Sequence, residues 1–246
     1  MDRPSARPNA AKIPRANAAL RLAVFDCDGT LVDSQHSIFA AVRFAFESVG
    51  LETPTPATAR RVIGLPLDQA LERLVPEAAR EAVDTAKLTE RYKDAFFELR
   101  NRPDFEEPLF PGAVEALAAL EAERILLGIA TGKSRRGLER TLERHGLLGR
   151  FVTIQTNDSG PGKPHPHMLE RALAETGAEP ANGVMIGDTV FDMAMARAAG
   201  LRALGVAWGY HASDELVEAG AHALVERFAD VPSSVERLVP ARGARP

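Results

Sequence analysis

An apolar run from Leu22 to Phe25 breaks off into two carboxylates one residue apart, and few folds can absorb that arrangement. The run reads as a short buried strand. Asp26 and Asp28 follow it, then Gly29 and Thr30. Strand side chains alternate, so the two aspartates share a face if the chain stays extended past Phe25. Gly29 then lets the backbone turn through dihedrals that other residues avoid. Two ionised carboxylates about 4 Å apart repel by about 4 kcal/mol at an effective dielectric of 20. A fold tolerates this when a cation lies between them or when one keeps its proton. A turn in which Asp28 bonds its own backbone would explain Asp-Gly alone. It does not explain D-x-D-G-T, whose four fixed positions recur by chance in roughly one chain of this length in several hundred.

At 246 residues the chain has room for one large domain, or a domain with a smaller insert. An apolar content of 45% supplies a core. The net charge of -4 argues against nucleic acid or an anionic membrane as partner. No apolar run reaches the length of a membrane span. Cys27 is the only cysteine, which rules out an internal disulfide and fits a reducing, cytoplasmic setting. Residues 1–19 hold Pro4, Pro8 and Pro14, four basic residues and one acidic residue, without apolar periodicity. They are expected to be a disordered tail, as are residues 240–246.

Ile38, Val42, Phe46 and Val49 recur at helical spacing, with Ser34 expected as N-cap, Asp33 beside it at the helix start, and Gly50 as terminator. Leu67, Leu71 and Leu74 form a second stripe, and Leu88, Tyr92, Phe96 and Leu99 a third. Nothing between 35 and 105 reads as a strand, so that stretch is expected to be an all-helical insert, bounded by Pro103 and Pro108. Residues 20–34 and 106–239 are expected to form the core. There a stripe of Val114, Leu117 and Leu120 leads into a strand at 125–130 that ends at Thr131 and Gly132. A helix from Ser134, a strand at 151–154, a helix at 167–176, a strand at 184–186, a helix from Phe191 and short strands at 203–206 and 223–225 follow. Alternating strand and helix predicts an α/β fold with a doubly wound parallel sheet covered on both faces.

In such sheets ligands bind beyond the carboxyl ends of the strands, where strand order reverses. Asp26, Thr131 and Asp188 each stand at such an end. Asp188 and Asp192 flank a helix start, where acidic residues are favoured by roughly 0.3–1 kcal/mol. Capping accounts for one of them. With Asp26 and a backbone carbonyl, the pair offers the oxygen-only, partly hydrated cage that Mg²⁺ prefers. Lys163, set between Gly162 and Pro164, is either a solvated charge or an ammonium held over the acidic cluster to bind a phosphoryl oxygen. His165 and His167 read as loop and helix-start residues. Thr131 and Gly132 suit a phosphate, or form an ordinary loop capped by Ser134. Lys133 could steer anions or be solvated, and reads as the latter.

These motifs, in this order, resemble those of the haloacid dehalogenase superfamily: Asp26 to Thr30, Thr131, Lys163, then Gly187 and Asp188 with Asp192. A helical insert after the first motif is similar to the subgroup containing phosphoglycolate phosphatase, β-phosphoglucomutase and 2-haloacid dehalogenase. The resemblance implies a Rossmann-like core with a helical cap. It also implies a Mg²⁺-dependent phosphomonoester hydrolase acting on a small phosphorylated metabolite such as 2-phosphoglycolate, as a monomer or homodimer. Asp26 would be the nucleophile and Asp28 the general acid and base. Asp26, the Asp28 carbonyl, Asp188 and Asp192 would hold the metal, and Thr131, Gly132 and Lys163 the phosphate. Substrate choice would reside in the cap, around Arg60, Arg61 and residues 63–67. A phosphomutase, or a phospho-ligand-binding domain without catalysis, are the alternatives. Dehalogenases lack the second aspartate, so Asp28 favours phosphoryl chemistry.

Overall fold

The computed structural model describes residues 19–241, so the tails expected at 1–19 and 240–246 lie almost wholly outside it. Six parallel strands form one sheet in the order β3-β2-β1-β4-β5-β6. They are β1 (Leu22–Phe25), β2 (Leu126–Thr131), β3 (Thr153–Thr156), β4 (Gly183–Gly187), β5 (Arg202–Val206) and β6 (Ala223–Val225). The chain lays β2 and β3 on one side of β1 and then crosses to build β4, β5 and β6 on the other. Strand order therefore reverses at β1, the position where open α/β sheets carry ligands. Phe25 pairs in register with Ile129 of β2 and with Ile186 of β4, so the three strands end nearly level.

Alternation sends Ala23, Phe25, Leu127 and Ile129 to one face of the sheet and Leu22, Val24, Ala130 and Met185 to the other. The first face is covered by α5 (Ala113–Ala122), α6 (Arg135–Arg144) and α10 (Val231–Leu238). The second is covered by α7 (His167–Thr176), α8 (Val190–Ala198) and α9 (Ser213–Glu218). Burial on both faces is why β1 and β4 read as continuous apolar runs.

Between β1 and β2 lie α1 (Gln35–Ser48), α2 (Pro56–Arg60), α3 (Leu67–Leu74) and α4 (Thr85–Arg100). They share a separate cluster of Val42, Phe46, Leu71, Leu74 and Leu88. Asp84 starts α4 by accepting hydrogen bonds from the backbone N–H groups of Ala86 and Lys87. No helix among the described residues is long and apolar enough to cross a membrane.

Two local expectations fail. Val114 is 42% exposed, because Ala113, Ala116, Leu117 and Leu120 form the buried stripe of α5 instead. Ser34 stands at the N-cap position of α1 without capping it; its hydroxyl bonds Asp28.

Candidate active site

Asp26, Asp188 and Asp192 converge beyond the ends of β1 and β4, all buried, each with an oxygen within 4.8 Å of the others. Lys163 reaches them from the loop before α7. Its Nζ lies 2.8 Å from Asp26 Oδ1 and 2.7 Å from Asp192 Oδ1, and the side chain is wholly buried. The solvated alternative for this lysine is thereby excluded. Burial disfavours the ammonium, but Asp192 and Asp26 outweigh it and hold the Lys163 pKa above its ordinary value. Three carboxylates still exceed one ammonium. Burial, with Asp192 adding repulsion, pushes the Asp26 carboxyl up to about 7 despite the attraction of Lys163. Burial and the charges of Asp26 and Asp192 push Asp188 well above the usual range as well.

Each carboxylate is held in place. The Cys27 N–H donates to Asp26 Oδ1 over 2.6 Å, the same oxygen that Lys163 approaches. Thr30 Oγ1 donates to Asp188 Oδ1 at 2.8 Å, and the Tyr210 N–H to Asp188 Oδ2 at 2.9 Å. Gly29, at φ 80°, passes so close that a Cβ there would lie 2.2 Å from Asp188 Oδ2. Asp192 both caps and pairs. Its Oδ2 accepts from the N–H and hydroxyl of Thr189 in a capping box on α8, at 3.1 and 2.7 Å, while Oδ1 faces Lys163.

Asp28 lies on the cleft side. Lys133 Nζ is 2.7 Å from its Oδ1, which also accepts from Ser34. Lys133 therefore belongs to the site, and the solvated reading of it is wrong. It is drawn in by two acids, since buried Glu107 lies 3.5 Å away on its other side and is itself paired with Arg100. His165 and His167 are loop and helix-start residues: His165 Nδ1 accepts from the His167 N–H, and His167 reaches the Ser159 carbonyl.

Residues 23–206 match the profile of the family described as haloacid dehalogenase-like hydrolase. The chain belongs to this family. A protein named "Probable phosphatase IndB" from Dickeya dadantii is 34% identical over 89% of this chain and 94% of its own. The phosphoglycolate phosphatase of Synechococcus elongatus is 30% identical over 88% of this chain and 97% of its own. Among solved structures, a hydrolase from Pseudomonas syringae superposes with a TM-score of 0.76 at 27% identity, covering 88% of this chain and 98% of that one.

In this hydrolase a cavity of about 820 Å³ runs from Asp26, Asp28 and Thr131 up between α1, α3 and α4. The loop 63–67 bears on the core: a Cβ on Gly132 would lie 3.1 Å from the Leu65 carbonyl, and one on Gly64 the same distance from Thr189 Oγ1. Thr131 Oγ1 accepts from the Lys133 N–H at 3.2 Å, which fixes the turn after β2. Arg60 and Arg61 do not line the cavity. Arg60 donates to Gln35 at the start of α1, and Arg61 pairs with Glu215 of α9 at 2.7 Å, so both are turned away from the cavity. The arginines of the cavity wall are Arg100, Arg136 and Arg140.

Proposed function

We propose that this phosphatase works through a phosphorylated Asp26 with Mg²⁺ as cofactor. The observation that carries the reading is the charge count at the strand ends: three buried carboxylates against one buried ammonium leave a deficit of two positive charges. An oxygen-only cluster with that deficit fits a hard divalent cation. Asp26, Asp188, Asp192 and the Asp28 carbonyl would hold Mg²⁺, which when bound would polarise a phosphoryl oxygen and screen the nucleophile from an anionic substrate.

The chain's own groups then divide the work. Lys163 and the Cys27 N–H hold Oδ1 of Asp26, so Oδ2 attacks phosphorus and the bond to the ester oxygen breaks. Asp28 gives a proton to the departing alcohol. The resulting Asp28 carboxylate takes a proton from water, whose oxygen attacks phosphorus. Cleavage of the acyl-phosphate bond releases phosphate and restores Asp26. Thr131, Gly132 and Lys163 would bind the remaining phosphoryl oxygens as negative charge builds in the transition state. The helical layer over the cleft acts as a cap that excludes water. The resemblance and the name of the Synechococcus relative make 2-phosphoglycolate the small ester against which others are to be tested.

Purified protein should release phosphate from p-nitrophenyl phosphate with Mg²⁺ present, and EDTA or Asp26→Asn should each abolish it. Undiminished turnover in Asp26→Asn would exclude the covalent route.

A further inference from the structure

Resting on the phosphatase reading, we infer that the leaving alcohol of the substrate is bulky and largely apolar, ring-sized or larger, rather than a two-carbon acid. The cavity of about 820 Å³ lies within the range of about 300–1,000 Å³ that encloses drug-sized ligands, and glycolate would fill a small part of it. On one side the cap is seated on the core. Pro66 is so close to the core that a Cβ on Gly162 would lie 2.6 Å from its Cγ, and Arg61 pairs across to Glu215.

Past Asp28 the side of the wall made by α1 and α3 is largely hydrocarbon, while Lys93, Asp94, Arg136 and Arg140 border the opposite side. Val42 of α1 and Leu71 of α3 reach the cavity from the cap's own core, and Phe97, 49% exposed, presents a ring at its edge. The cations of the lining are mostly spoken for. Lys133 holds Asp28 and Glu107, Arg100 holds Glu107, Lys93 pairs with Glu90 and Arg140 lies over Phe97. Arg136 and Arg140 have no acidic partner among the described residues, but both stand at the outer rim on α6, away from the hydrocarbon of α1 and α3, and no buried arginine is left free to form an acid pocket.

Two buried polar atoms of the lining, Thr89 Oγ1 on α4 and Asn157 Oδ1 after β3, have no hydrogen-bond partner. Both belong to lining residues, so polar groups border the apolar wall at α4 and just after β3.

The test compares phosphate release with Mg²⁺ from four esters of primary alcohols: ethyl phosphate, 2-phosphoglycolate, benzyl phosphate and 2-naphthylmethyl phosphate. Using primary alcohols keeps leaving-group basicity similar. Each methylene buried is worth roughly fourfold in binding. The expected result is a kcat/KM for 2-naphthylmethyl phosphate at least tenfold above either small ester, mainly through KM. Ala70→Phe, which puts a ring into the wall from α3, should shrink that ratio tenfold or more, and the wild-type series is decisive even if this variant fails to fold. Equal or higher kcat/KM on 2-phosphoglycolate overturns the inference and leaves the phosphatase reading standing. No phosphate from any ester overturns that reading, and the inference with it.

Discussion

Replacing Lys163 by methionine removes a charge but keeps most of the side chain's volume, so the effect isolates the electrostatics of the buried cluster. The Nζ lies 2.8 Å from Asp26 and 2.7 Å from Asp192. At an effective dielectric of 20 each contact is worth about 6 kcal/mol of attraction before desolvation is subtracted. Most of that is offset by the cost of burying the ions. Removing one partner of a buried pair has a net cost of about 3–5 kcal/mol, because the charge left behind is uncompensated. The loss must depend on pH. A carboxyl whose folded pKa exceeds its unfolded value contributes no penalty below the unfolded pKa, near 4, and a growing penalty as pH rises towards the folded value. Asp26 already stands at about 7 with Lys163 present, and removing the ammonium takes away a force that lowers it. Urea denaturation of wild type and Lys163→Met in EDTA should therefore show a loss of about 3–5 kcal/mol at pH 8 and a clearly smaller one at pH 5. Equal stability of the two proteins at pH 8 without metal would refute the reasoning, since it would mean the cluster does not depend on this ammonium.

Three other outcomes are expected. Asp28→Asn should lower kcat about 10²–10⁴-fold on alkyl esters, which need a proton for the alcohol, and less on p-nitrophenyl phosphate, whose leaving group departs as an anion; steady-state kinetics on both substrates reads the difference. Gly29→Ala forces a Cβ to within 2.2 Å of Asp188 at a φ of 80°, so it should abolish phosphate release and lower the denaturation midpoint. Wild type in EDTA should lose stability as pH rises from about 4 to about 7, through the raised carboxyls of Asp26 and Asp188, and Mg²⁺ should restore it, as urea titrations across that window would register.

The sheet was legible because both of its faces are buried: β1, β4 and β5 stand in the chain as short apolar runs, each ending in a residue with a task or a turn. Asp26, Lys163, Asp188 and Asp192 could be picked out because their types are costly to bury and recur at strand ends or in a rigid loop. What failed was whatever depends on partners distant in sequence. Lys133 reads as solvated because nothing near it in the chain says that Glu107 and Asp28 will flank it. Ser34 has the composition of an N-cap, but its backbone at φ −107° and ψ 6° is not extended as a cap requires, and its hydroxyl is turned to donate to Asp28. Arg60 and Arg61 lie close in sequence to the loop over the cleft, yet they turn to Gln35 and to Glu215 of α9, partners distant in the chain. The short helices α2 and α9 carry too few turns for a periodic stripe to declare itself.

The most direct measurement is a rapid acid quench during turnover, followed by peptide mass spectrometry. If Asp26 is the nucleophile, a phosphoryl adduct sits on the peptide carrying it, appears within the first turnover and is absent from Asp26→Asn. Turnover that proceeds while that peptide stays unmodified, or an adduct on another residue, would contradict the proposed chemistry.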